Sequence, residues 1–236
     1  MKRRLMVGLS AGCLLTAALT VPAVADDCTY DGMVFDAVYD GTPGSDSWTG
    51  IGSKAELFCG WDGDDSVFAL GPGDVFLGGH GNDDALPLGG AAMTGDAVFH
   101  GGWGNDEVGY MSATSAFYGG QEGDTVIGGV RASATFAGGR GDDRAVRVYE
   151  DGHFSGGHGD DTADYVYGNG VFKGGNGDDN VAANLAGYGV FDGGNGADSV
   201  DTEMTNDSSF FGRNGCDYVE RAYDPSTFDL GPERGC

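Results

Sequence analysis

The chain has 236 residues, of which 47 are glycine, 37 are Asp or Glu and only 12 are Lys or Arg, giving a formal charge of −25. So acidic a surface excludes a nucleic-acid partner, because phosphate binding needs clustered Lys and Arg. Hydrophobic residues make up 40% of the chain and recur at regular intervals, which excludes the solvated, disordered acidic polymer that such charge otherwise suggests.

In chain order, the first 25 residues differ in kind from the rest. Lys2, Arg3 and Arg4 form a basic start, Leu5 to Leu19 is apolar, and Ala23-Val24-Ala25 is an A-x-A cleavage site. This is the pattern of a secretory signal peptide with cleavage after Ala25, too short and wrongly flanked to span a membrane. Lipid attachment at Cys13 is disfavoured, since Ser10 is a poor start for a lipobox. Removing the leader leaves nine basic residues against 37 acidic ones, a formal charge of −28. No later run is apolar enough for a transmembrane span, so the mature chain is expected to be secreted and soluble. Residues 26–38 are expected to form an N-terminal cap.

From residue 39 onward the chain repeats itself. Tyr39, Phe58, Phe76, Phe99, Phe117, Phe136, Phe154, Phe172, Phe191, Phe210 and Phe228 recur at steps of 18 or 19, apart from one step of 23 between Phe76 and Phe99. A short phrase follows each aromatic: GGHGNDDA from Gly78, GGWGNDEV from Gly101, GGQEGDTV from Gly119, GGRGDDRA from Gly138 and GGHGDDTA from Gly156. GGNGDDNV from Gly174, GGNGADSV from Gly193 and GRNGCDYV from Gly212 continue the series, with weaker copies at Gly41 and Gly60. Glycines at the first, second and fourth positions allow a tight turn with positive φ. The eighth position, Val67, Val108, Val126, Val181, Val200 and Val219 or Ala85, Ala145 and Ala163, returns an apolar side chain to the interior. Strand-like pieces such as Ala145-Val-Arg-Val-Tyr149 lie between second turns such as Glu150-Asp-Gly152. One repeat then reads strand, turn, strand, turn. The fold class is all-β, a parallel β-roll or β-solenoid of about ten coils with 18–19-residue repeats, spanning residues 39–219 and followed by a C-terminal cap over 220–236.

Each turn carries backbone carbonyls and, at the sixth position, an aspartate. Hard oxygens of this kind suit Ca²⁺, which takes six to eight of them over a flexible geometry, and a bound cation would neutralise the charge. The phrase GGxGxDxUx resembles the RTX, or hemolysin-type, calcium-binding repeat. That resemblance implies a β-roll with several Ca²⁺ ions between equivalent loops of adjacent coils, held by loop carbonyls and the sixth-position carboxylate. Transferred by position, the best-matched carboxylates are Asp83, Asp106, Asp143, Asp161, Asp179 and Asp198, with Asp65, Asp124 and Asp217 in loops that depart from the pattern. The implied carbonyl ligands belong to Gly78, His80, Gly101, Trp103, Gly138, Arg140, Gly156, His158, Gly174, Asn176, Gly193 and Asn195. Trp61 and Arg213 replace the second glycine, Glu122 the fourth, and Thr42-Pro43 distorts the first copy. Because the phrase comes once per full coil, the expectation is one calcium-lined edge and one irregular edge, with the 23-residue step looping out near residues 87–90.

Four cysteines follow the leader, and export favours their oxidation. Cys28–Cys59 and Cys216–Cys236 are the expected pairs, each tying down one end of the solenoid. Other features carry plainer readings. Arg140-Gly141-Asp142 spells an adhesion triplet inside a loop that demands glycine and aspartate anyway. His80 and His158 are solvated loop residues. Arg131, Arg140, Arg144 and Arg147 form the only basic cluster, which could receive an acidic sugar or surface polymer, although local charge balance is the plainer reading. Tyr110, Tyr149, Tyr165, Tyr167 and Tyr188 could form a carbohydrate platform but are out of strict register. No nucleophile constellation appears, so the chain is not expected to be an enzyme; a polysaccharide-active solenoid is the weaker reading. The leading expectation is a calcium-stabilised structural or interaction module. The alternative is an adhesin-like protein that binds a cell-surface or extracellular glycan or protein through a flat sheet face.

Overall fold

The computed structural model describes residues 28–50, 54–86, 92–223 and 226–231. The expected signal peptide, Cys236 and the step near residues 87–90 lie outside the described residues. Every strand pairing is parallel. Alternate strands fall into two sheets, one running coil by coil from Ala37–Asp40 to Thr227–Asp229, the other from Ser47–Thr49 to Tyr218–Ala222. Each coil contributes one strand to each sheet. The architecture is therefore the all-β parallel solenoid of about ten coils expected from the repeat.

Parallel pairing without slippage stacks identical positions. Phe76, Phe99, Phe117, Phe136, Phe154, Phe172, Phe191 and Phe210 form an unbroken ring stack with centroids 4.6–4.9 Å apart, which is the strand spacing itself. Tyr39 stacks on Phe58 at one end, and Phe228 pairs with Phe210 at the other, within the stretch expected as a cap. The eighth-position residues from Val67 to Val200 form a second buried column, with Val219 partly buried at its end. A third column, not apparent in the repeated phrase, runs through Leu70, Met93, Met111, Val130, Val148, Val166, Leu185 and Met204. The three columns close a continuous core in which each coil buries its inner face against its neighbours. Trimming Val166 to alanine should destabilise the protein by about 2 kcal/mol through lost burial and a cavity. Val146→Ala, on the half-buried outward side of the adjacent coil, should stay within about 0.5 kcal/mol; urea titration of both variants measures the difference.

The edge expected to be irregular is regular in backbone. Coil after coil it holds a tight turn closed by an i to i+3 hydrogen bond, from Ala134 N–H to the Arg131 carbonyl, Gly152 to Tyr149, Gly170 to Tyr167 and Gly189 to Ala186. One column of left-handed residues makes these turns: Ala113, Ala132, Glu150, Gly168, Gly187 and Asn206, with φ between 52° and 63°. Only its sequence is irregular, because this well lies open to residues other than glycine at modest cost.

Cys28 and Cys59 form the expected disulfide. It anchors a strap laid along the outside of the first sheet: Cys28, Tyr30 and Phe35 pack with Leu57, Val75, Leu77 and Val98. Tyr30 reaches the imidazole of His100, with 3.2 Å between Oη and Nε2, and burial lowers that imidazole to a pKa of about 4. Cys216 is also disulfide-bonded.

Candidate metal centre

The glycine phrase forms the edge where each strand of the first sheet turns into the second. Its second-position glycines hold φ near 120° and its fourth-position glycines 106–157°, beyond what an L side chain adopts readily. A Cβ on Gly157 would lie 2.5 Å from the Gly139 carbonyl oxygen, and one on Gly159 2.2 Å from that of Gly141. Glycine is thus required both by dihedral and by coil-to-coil approach. In the departing loops the substitutes relax into the left-handed well, Trp61 and Arg213 at φ 80° and Glu122 at 70°. The loop survives all three replacements, which is why Asp65, Asp124 and Asp217 sit as the better-matched aspartates do.

The recurring hydrogen bonds of these loops run from coil to coil. The carbonyls of His80, Trp103, His158, Asn176 and Asn195 accept the fourth-position N–H of the preceding coil at 2.8–2.9 Å, so each keeps one lone pair for another partner. Fifth-position side chains form a second ladder that the sequence reading passed over. Oδ1 of Asp64, Asn82, Asn105, Asp142, Asp160 and Asp178 each accepts the N–H of the equivalent residue one coil later, at 2.7–3.2 Å. The recurrence of Asp or Asn at this position was the available signal.

Sixth-position aspartates point the other way and inward. Asp65, Asp83, Asp106, Asp124, Asp143, Asp161, Asp179, Asp198 and Asp217 are all buried, none more than 8% exposed. Oδ1 of each accepts the N–H of the corresponding aspartate one coil earlier, at 2.7–3.0 Å. Oδ2 of each is buried without any hydrogen-bond partner. Asp46, in the distorted first copy, differs: its Oδ2 accepts the Thr42 N–H and hydroxyl at 2.6 and 2.9 Å.

Nine half-satisfied carboxylates stacked one strand apart are electrostatically expensive. Burial raises them, opposed by the donated amide and reinforced in most by neighbouring aspartates. The pKa reaches about 6 in Asp65 and Asp198, about 7 in Asp83, Asp143 and Asp161, about 8 in Asp106 and Asp179 and about 9 in Asp124; Asp217 is also raised. None of the ion pairs among the described residues, Arg144–Asp164, Arg213–Asp192 and Arg221–Glu203, touches this column.

The donor set fits a hard cation in type. At Gly60, Gly78 and Gly101 the loop's own Asp Oδ2 and the first-position carbonyl oxygen of the next coil both crowd the place a Cβ would occupy, at 1.9–2.2 and 2.5–2.7 Å. Carboxylate and carbonyl oxygens from successive coils are therefore adjacent, in the chemistry Ca²⁺ prefers. Among the described residues no three His, Cys, Asp or Glu side chains gather, so a cation would take most of its ligands from backbone carbonyls. The Arg140, His80 and His158 side chains stay exposed on the loop rim. His80 stacks on Trp103 with centroids 5.7 Å apart.

No family model matches the chain, and neither a curated protein nor a solved structure does.

Proposed function

We propose that this is a secreted calcium-binding solenoid of the RTX type, a structural or interaction module whose rigidity depends on Ca²⁺ held along its glycine–aspartate edge. The observation that carries the reading is the row of nine buried aspartate Oδ2 atoms with no partner. Ca²⁺ would supply the positive charge these oxygens lack, over a coordination geometry loose enough for carbonyl-rich loops.

The chain's own residues do the rest. Asp83, Asp106, Asp124, Asp143, Asp161, Asp179 and Asp198 each offer one oxygen outward from the amide ladder, since Oδ1 is already committed to the coil before. The carbonyls of Gly78, Gly101, Gly138, Gly156, Gly174 and Gly193 and the third-position carbonyls would complete the set. Glycine keeps adjacent loops close enough for oxygens of two coils to share a cation. Such sharing would couple binding to folding, because an unfolded chain presents no two loops in register. Asp65 and Asp217 lie in the outermost of these loops, where a neighbouring coil of full pattern stands on one side only.

Calorimetric titration of the chelated protein with Ca²⁺, paired with far-ultraviolet circular dichroism in EGTA, tests this directly. Several ions should bind per chain, with strand signal or thermal stability gained on addition. A protein that is fully folded in EGTA and takes up no calcium sinks the reading.

A further inference from the structure

One face of this strongly acidic chain brings two arginines together with a cluster of tyrosines. On the outward side of the second sheet, Arg147 pairs across the strands with Tyr165, and Arg131 with Tyr149. Neither arginine is in an ion pair among the described residues, and the same holds for Arg140, whereas Arg144, Arg213 and Arg221 are paired. Arg131 lies opposite Tyr149 and Arg147 two residues before it on the same strand, so the two arginines are diagonal neighbours on one face.

These arginines are set among tyrosines. Tyr149 and Tyr167, expected to be out of register, are direct strand partners with rings stacked 5.0 Å apart. The Tyr110 hydroxyl hydrogen-bonds that of Tyr149, and the Arg131 guanidinium lies over the Tyr110 ring, 5.2 Å from its centroid. Gly128 and Gly129 make room for this: a Cβ on Gly128 would lie 2.2 Å from the Tyr110 ring, and one on Gly129 2.9 Å from that of Tyr149. Arg147 spends one N–H on the Gly128 carbonyl at 3.2 Å. The Nε of Arg131 is buried and has no hydrogen-bond partner. Tyr165, beside Arg147, is 39% exposed.

We infer that this face binds an acidic sugar, whose carboxylate or sulfate is taken by Arg131 and Arg147 and whose ring lies against the tyrosines. A guanidinium holds either anion through two parallel N–H donors. Tyrosine offers an apolar face with a hydroxyl at its rim, which matches a pyranose that is apolar on its C–H side and polar at its edge. A long nucleic acid is the poorer occupant, because two cations displace few counterions and the rest of the surface repels it. The site lies away from the glycine–aspartate edge and stands independently of the metal.

Binding of the calcium-loaded mature chain to polygalacturonate, dextran sulfate and neutral dextran tests the inference and separates its two anion sources. The expected result is binding to at least one anionic polymer and none to dextran. The Arg131→Gln, Arg147→Gln double variant should weaken that binding at least tenfold, and Tyr165→Ala should weaken it several-fold, with unchanged circular dichroism and melting temperature. Preference for polygalacturonate identifies a uronic acid, and preference for dextran sulfate a sulfate ester. No binding to either anion, equal binding to dextran, or full affinity in the folded double variant would overturn it; the last outcome places the contact on the calcium-loaded edge instead.

Discussion

Gly159→Ala should destabilise the calcium-saturated protein by about 5 kcal/mol, at the extreme of what single substitutions do. Two effects combine. The residue holds φ 126°, a region essentially reserved for glycine and worth roughly 1–3 kcal/mol against any side chain. Its new methyl would also stand 2.2 Å from the Gly141 oxygen and 2.5 Å from the Gly141 carbonyl carbon. That carbonyl cannot retreat, because its own loop is pinned by the amide ladders to the coil on its other side. Relief would require these two coils to separate, breaking the Asp143 N–H to Asp161 and Asp160 N–H to Asp142 bonds. Gly187→Ala is the control. It sits in the left-handed well at φ 62° with its nearest atom 3.1 Å from the added carbon, and alanine already occupies the equivalent place at Ala113 and Ala132. Its loss should be about 1 kcal/mol. Equal losses in urea titrations of the two variants would contradict the distinction between a packed edge and an open one.

That distinction marks where the sequence was legible. The phenylalanine stack, the Val and Ala column and the sixth-position aspartates were readable because close packing between coils tolerates almost no variation at those points. One residue type therefore repeats in register. The third core column was not readable. Its members, from Leu70 through Met111 to Met204, follow segments of variable length, and any apolar side chain of moderate volume fills the space. The second edge hid for a related reason: a single left-handed residue can be Ala, Glu, Asn or Gly, so a regular backbone leaves no motif. The tyrosine register was obscured in the same way, since Arg131, Tyr149 and Tyr167 share a column but not a residue type. At the glycine–aspartate edge, the burial of each Asp is implied by its phrase, but the division of labour between Oδ1 and Oδ2 is not. It depends on which coil supplies the amide, a relation between residues 18 or 19 apart.

The same division of labour predicts opposite pH dependence with and without calcium. In EGTA, the folded aspartates have pKa values raised from 3.8 to between about 6 and about 9, while the unfolded chain titrates near the ordinary value. Between those limits the folded state binds more protons, so metal-free stability is greatest below about pH 4 and falls as pH rises toward 9. With saturating calcium the sign reverses. Protons then compete with the cation for Oδ2, acidification releases it, and stability falls as pH drops. Unfolding midpoints across pH 4 to 9 should therefore slope downward in EGTA and upward in calcium. Asp179→Asn sharpens the test, since the amide keeps the Oδ1 acceptor for the Asp161 N–H while removing the charge. At pH 8.5 it should stabilise the chelated protein by about 1 kcal/mol, the relief of charge outweighing a buried amide group left without an acceptor. In calcium at a hundredfold excess over the dissociation constant it should destabilise by about 3 kcal/mol, the binding energy of one lost site. Asp178→Asn, one residue away and exposed, conserves its Oδ1 bond to the Ala197 N–H and should do neither. If the two slopes coincide, or Asp179→Asn has one sign in both conditions, protons rather than calcium satisfy the buried column.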